Sequence, residues 1–312
     1  MKNLSINSVI RMAAVASAFT LTYAASVSAQ TLITPDLKAP AGAYSLSKTG
    51  MVIRAHQINL TRFPGEQNSI ENVARELSGG FGPSLSGATN GPLTGGLWQA
   101  DYLNYALDPN CPVDFDSQWY VFSAPTLAFP GIVTDTNVVS VSTFAYEIIT
   151  YLNLPAGTNR LVVGSGDSFR LTIGAGDNPF DISALQPANG VFSGSRNYDT
   201  NLIVLNVQSA GVYPVRIVYG QGGGTAGLQF YSLADLGSPE FPNFVPYLIN
   251  DPDRSGYELT SYQPAALPIT PSKAYVSLLT PLPGAAGGFI SCVPMHSFPL
   301  PSRRPTPNWP AN

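Results

Sequence analysis

Charge is scarce in this chain. Of its 312 residues only 11% are Asp, Glu, Lys or Arg, and the 15 basic residues are outnumbered by 19 acidic ones. Binding to nucleic acid needs a basic patch that neutralises phosphates, and there is no surplus of positive charge from which to build one. Cysteine and histidine are rarer still, with Cys111, Cys292, His56 and His296 the complete set. Two cysteines fall short of the thiolates of a cysteine-only zinc site. An oxidising compartment permits Cys111 and Cys292 to pair, but their separation in sequence and the irregular composition around Cys292 argue against a disulfide. Long apolar runs are missing after the first 25 residues, so no membrane span is expected in the rest of the chain.

What is present begins with an export signal. Lys2 and Arg11 supply positive charge, Met12 to Ala25 is apolar or small, and Val27-Ser28-Ala29 offers the small side chains that a signal peptidase reads. Cleavage is expected before Gln30. Ser17, Thr20, Thr22 and Tyr23 make the segment too polar, and too short of the roughly 20 apolar residues needed, for a retained membrane anchor. Removing residues 1–29 takes away Lys2 and Arg11 and no acidic residue, leaving 283 residues with 13 basic against 19 acidic side chains, a net charge of −6. That length can bury a large core. With 29 Gly and 28 Pro, the chain favours many turns and short strands over long helices.

Residues 30–49 read as a lead-in, and a β-like run covers Met51 to Ile58. From Asn68 to Leu77, Ile70, Val73, Ala74 and Leu77 fall at i, i+3, i+4 and i+7, with Asn68 or Ser69 available to cap and Gly79-Gly80 to stop. This spacing predicts one short α-helix. From Trp119 onward the pattern is strands divided by Gly, Pro, Asn and Asp, near Trp119–Phe122, Val138–Val141, Ala145–Leu154, Arg160–Val163, Phe169–Ile173, Leu202–Val207, Val212–Tyr219, Leu228–Tyr231 and Tyr257–Tyr262. Strands so frequent, without helices between them, predict an all-β antiparallel sandwich of the jelly-roll or lectin-like kind. Within Val212–Tyr219, Tyr213, Val215, Ile217 and Tyr219 share one face, which should meet the core.

The run Tyr151-Leu152-Asn153-Leu154-Pro155-Ala156-Gly157-Thr158, then Gly164-Ser165-Gly166-Asp167-Ser168-Phe169-Arg170-Leu171, then Ala210-Gly211-Val212-Tyr213-Pro214-Val215-Arg216 and Gly222-Gly223-Gly224, resembles lectin-like domains of the protective-antigen (PA-fourteen) type. Leu248-Ile249-Asn250-Asp251-Pro252 has a counterpart near the end of such domains. The likeness runs from about Gly50 to Tyr262 and is strongest to a divergent version in large exported bacterial proteins. It implies a β-sandwich, placed at residues 50–263, that binds carbohydrate or mediates surface contact. In calcium-dependent relatives two adjacent Asp residues hold the ion that grips sugar hydroxyls, since hard cations favour several carboxylate and carbonyl oxygens in one loop. Their Ser-Asp-Asp-Gly-Phe maps onto Ser165 to Phe169, with Gly166 in place of the first Asp. Calcium is therefore expected, if at all, at Asp167 with Asp177, while ligand contact is expected from Asp167, Ser168 and Asp199. Asp167 by itself reads more readily as a turn residue than as a calcium ligand.

Other features have plainer readings beside the functional one. Trp98 and Trp119, with Tyr102 and Tyr105, could form a platform for the C–H face of a sugar ring, or serve as core. Gly222 to Gly227 spells G-x-G-x-x-G but lies between two strands and precedes no helix, which predicts a hairpin loop instead of a dinucleotide site. Gly166-Asp167-Ser168 resembles the nucleophile block of a lipase-like family, yet such chemistry needs an activating histidine and none is suitably placed. A lone His56 in a strand reads as a surface or edge residue. Residues 264–312 read as linker and disordered Pro-rich tail, in which Ala274 to Gly287 resembles the start of an immunoglobulin-like module truncated or frameshifted after Gly288. The expectation is a secreted or surface module that binds glycan or another surface polymer without catalysis; the alternative is a structural spacer or adhesion module with no small ligand.

Overall fold

The computed structural model describes residues 29–58, 68–86, 93–94, 96–107, 120, 122–133, 143–175, 178–223, 226–237, 243–251 and 259–268. They all belong to one compact unit, Met1–Leu279; a second, Thr280–Asn312, lies outside the described residues, as do residues 1–28 of the expected export signal, Cys111, Trp119, Asp177 and Cys292. The expected strand at Val138–Val141 and the expected disordered tail beyond residue 268 also lie outside them.

Fifteen strands and one α-helix are described. In chain order they are β1 (Thr31–Ile33), β2 (Tyr44–Thr49), β3 (Met51–Gln57), α1 (Ile70–Leu77), β4 (Trp98–Ala100), β5 (Leu103–Ala106), β6 (Leu127–Ala128), β7 (Phe144–Leu154) and β8 (Gly157–Ser165). There follow β9 (Phe169–Ile173), β10 (Val191–Phe192), β11 (Asp199–Val207), β12 (Gly211–Gln221), β13 (Gly227–Asp235), β14 (Phe244–Leu248) and β15 (Ser261–Pro264). One sheet runs β1-β11-β8-β13-β5-β6, with β14 also on β13; the other runs β10-β9-β12-β7-β15-β2, with β3 also on β7 and β4 on β3. Pairing is antiparallel throughout except for β1 with β11 and β5 with β6. This is an antiparallel-rich β-sandwich with one helix. The segment expected as lead-in carries β1 and β2, so strands begin well before Gly50.

The sandwich forms because each long strand presents a continuous apolar face. β12 pairs with β7 from Gly211 opposite Leu154 to Gln221 opposite Phe144. Its Tyr213, Val215, Ile217 and Tyr219 join Phe144, Tyr146, Ile148 and Leu152 of β7 in the core, facing Leu161 and Val163 of β8 and Leu228 and Phe230 of β13. Burying one such side chain stabilises by about 1.5–3 kcal/mol. Phe129 fills the centre, its ring parallel to that of Tyr219 at 5.8 Å and tilted against Phe144 at 5.0 Å.

The opposite face of β12 points away from this core, as the alternation predicts, but it is covered. Val218 and Ala145 receive Ile70, Val73, Ala74 and Leu77 of α1, whose amphipathic spacing matches the groove. Ser69 caps the helix by accepting from the Asn72 amide at 3.3 Å. Beside it Arg216 is fully buried, its Nε 2.7 Å from Glu147 Oε1, while Arg54 Nη1 lies 2.7 Å from Glu147 Oε2. His56 is buried here too, contrary to the surface or edge position expected. α1 covers it and sets Glu76 Oε1 3.6 Å from its Nδ1.

Short Gly- and Pro-rich connections mostly carry the chain from one sheet to the other. β7 and β8 lie in different sheets, as do β8 and β9, β11 and β12, and β12 and β13. β12 ends at Gln221 in one sheet and β13 begins at Gly227 in the other, so the chain changes sheet there and the two strands do not form the hairpin that the composition between them suggested. A hairpin and a corner use the same turn residues, and only the partner of each strand separates them.

Candidate functional site

Two of these corners run side by side at one end of the sandwich, and Asp167 lies between them. The β8–β9 corner, Gly166 to Ser168, is bonded to the β12–β13 corner through Gly166 N–H to the Gly227 carbonyl (2.9 Å) and Gly220 N–H to the Ser168 carbonyl (2.9 Å). The Asp167 carboxylate then gathers further segments. Its Oδ2 accepts from the Gly222 amide at 2.9 Å and from Asn68 Nδ2 at 3.1 Å, and its Oδ1 accepts from the Arg196 amide at 3.0 Å. Asn68 leads into α1, and Arg196 lies on the arm joining β10 to β11, so four stretches of sequence meet on one 2%-exposed side chain. Burial pushes the Asp167 pKa up from its ordinary value, while the two amides and the Arg196 charge pull it back in part.

Ser168 completes the knot from below. Its hydroxyl donates to the Asn68 carbonyl and accepts from the Gly194 amide at 2.9 Å. Among the described residues this fully buried hydroxyl is held by backbone groups and has no histidine partner, so the nucleophile reading of Gly166-Asp167-Ser168 gains no support from them. Asp199 opens β11 half-exposed, its Oδ1 accepting from the Thr200 amide at 2.7 Å and its Oδ2 3.8 Å from Arg196 Nη1. Asp167, Ser168 and Asp199 are thus brought together, with Arg196 as the link.

No local sequence pattern marks Arg196. Its guanidinium donates to Ser165 Oγ at 2.7 Å, Asn201 Oδ1 at 2.8 Å and the Asp199 carbonyl at 3.3 Å, and lies 4.2 Å above the Phe192 ring. Burial lowers its pKa from the ordinary guanidinium value, and Asp199 acts most strongly in the other direction. Next on the arm, Tyr198 crosses the first sheet over Gly164, where any Cβ would overlap its ring, and donates to Gln229 Oε1 at 2.6 Å. Ser193, Ser195 and Asn197 of the same arm are exposed, with the two hydroxyls accepting from the Ile70 amide (3.0 Å) and Asn68 Nδ2 (2.6 Å).

The expected aromatic platform is not assembled among the described residues. Trp98 is half-buried against the main core, Tyr105 is inside that core, and Tyr102 belongs to a separate cluster on the outer face of the first sheet with Val162, Tyr231 and Leu248. The pleat decides this, since Tyr105 shares the core face of β5 with Leu103, whereas Tyr102, one residue before the strand, falls on the other face. On that outer face Tyr120, 39% exposed, instead meets Phe122 at 4.8 Å and Tyr231 at 6.3 Å.

No protein-family model matches the chain, and no curated protein matches it. Solved structures do. In fold the chain is similar to PA14 domains. One is the PA14 sugar-binding domain of an RTX adhesin, at 14% identity over 64% of this chain and 96% of that one, with a TM-score of 0.37. Another is the A domain of epithelial adhesin 9 from Candida glabrata in complex with Galβ1-4GlcNAc, at 12% identity over 75% and 97%, with a TM-score of 0.44. A third is the PA14 domain of an antifreeze protein, at 13% identity over 69% and 90%, with a TM-score of 0.33. At these scores the likeness is one of layout, and function has to be read from this chain's own residues.

Proposed function

We propose that this chain is an exported, non-catalytic module that binds a glycan or another surface polymer through the loop end organised by Asp167. The observation that supports this reading is the junction itself. Four segments distant in sequence are fastened by buried polar side chains at one end of a rigid sandwich, and the arm above them exposes Ser193, Ser195 and Asn197. Loops held rigidly on a scaffold carry binding sites at low ordering cost. Neutral hydroxyls and amides suit sugar hydroxyls, and a mature net charge of −6 suits neutral partners better than polyanions.

Export is part of the proposal and follows from residues 1–29; no helix among the described residues is long and apolar enough to cross a membrane. A glycan array on the purified chain tests the reading, with β-galactosyl disaccharides among the probes because one structure of similar layout holds Galβ1-4GlcNAc. Binding that is lost in the double variant Ser195→Ala/Asn197→Ala is expected. Absence of binding to every glycan, with and without calcium, would make the chain a spacer or adhesion module without a small ligand.

A further inference from the structure

Calcium is what the resemblance implies at Asp167, and the groups around that carboxylate do not fit it. Calcium takes about six to eight oxygen ligands. Here the neighbours are hydrogens, from Asn68 Nδ2 and the amides of Gly222 and Arg196. They occupy three of the roughly four lone-pair directions of a carboxylate, and a metal ion beside them would meet the positive ends of three dipoles. Among the described residues no three His, Cys, Asp or Glu side chains cluster as metal ligands would.

A cation is already built into the site. The Arg196 guanidinium is half-buried over Phe192, with Phe169 at 5.7 Å, and its Nη2 donates to Ser165 Oγ, which in turn donates to the Asp167 carbonyl at 2.7 Å. One residue therefore grips the Asp167 turn twice, by its amide to the carboxylate and by its side chain through the Ser165 hydroxyl.

We propose that Arg196 is a tethered cation that does here what a bound calcium ion would do, so that this loop end is ordered, and meets its ligand, without divalent metal. The inference concerns the site of the proposed ligand, but its test reads folding and loop protection and needs no glycan. Purified chain would be compared in EDTA and in millimolar calcium by thermal melting and by hydrogen exchange of residues 165–168, 194–196 and 222–223. The expected shift is under about 1 °C with unchanged exchange, whereas a site of about 10 μM affinity would raise the melting temperature by several degrees at that calcium concentration.

Arg196→Gln should speed exchange at these amides by about tenfold or more, since a charge-assisted hydrogen bond is lost, with no recovery on adding calcium. Arg196→Lys, which keeps the charge without the fork, should recover part of the protection. Ser165→Ala removes only the hydroxyl link and should loosen the 166–168 corner alone; it serves if Arg196→Gln does not fold. A calcium-dependent rise of several degrees in the unaltered chain overturns the proposal, as does wild-type exchange in both Arg196→Gln and Ser165→Ala.

Discussion

At the scale of single residues, the site depends on acceptors meeting donors. Replacing Asp167 by Asn keeps the size but turns one carboxylate oxygen into an N–H₂ donor, facing the amide of Arg196 or those of Gly222 and Asn68. One buried donor must then go unpaired. Asp167→Asn should lower stability by about 1–3 kcal/mol, read as a shift in the urea midpoint at constant slope. Glu76 behaves in the opposite way. Burial raises its pKa above the ordinary 4.5, with His56 only partly opposing. Because the folded form holds the proton more tightly, this contribution to stability is complete below 4.5 and is lost as pH rises through the raised value. Glu76→Gln should therefore melt higher than the unaltered chain at pH 7 and equal it near pH 4. Identical melting curves at pH 7 would show that the burial cost of Glu76 is already met by His56.

At the scale of elements, α1 is the piece that joins the sandwich to the site. Its apolar stripe sits on Val218 and Ala145, and the residues at its start, Asn68 and Ser69, feed the Asp167 junction and the cap. The seat depends on Gly220, where an added Cβ would overlap Val73 Cγ2. Gly220→Ala should destabilise by about 1–3 kcal/mol through overpacking, and the double variant Gly220→Ala/Val73→Ala should recover much of that loss, as a double-mutant cycle would reveal. Ser69→Ala should cost about 1 kcal/mol. In both cases hydrogen exchange at the Gly222 amide should rise with the loss of the helix, because Asn68 is the shared link.

The helix was readable from its spacing, and Ser69 from its place in front of it. The long strands were readable too, with β7, β8, β11, β12 and β13 exceeding their expected spans by one to five residues, and the five-residue β9 matches its span. The short strands β1, β2, β4, β5, β6, β10 and β14 were not, because two to six residues seldom carry a periodic signal, and strands of this kind owe their existence to the neighbour that accepts their hydrogen bonds. Of the site, Asp167, Ser168 and Asp199 carried a local signal in the corner motif and its surroundings. Asn68 was legible only as a possible helix cap and Gly222 only as part of a Gly-rich motif, while Arg196 carried no signal at all; what joins the three is the fold that sets them beside Asp167.

At the scale of the whole molecule, the proposed export signal makes its own prediction. Expressed from the full chain in a host with a secretory pathway, the protein recovered outside the cytoplasm should begin at Gln30 by N-terminal sequencing; material retaining Met1 would refute export by this route. Composition and patterning already carry the class of this protein: low charge, plentiful Gly and Pro and alternating apolar strands allow an antiparallel sandwich and disfavour a nucleic-acid binder. Those are properties of composition and of period two, which do not depend on which strand lies beside which. It takes the folded chain to make the short turns corners between sheets, to bury His56 and Arg216, and to bring Asn68, Arg196 and Gly222 together at Asp167. Those facts rest on pairings between residues tens to more than a hundred positions apart, and no local pattern encodes such a distance.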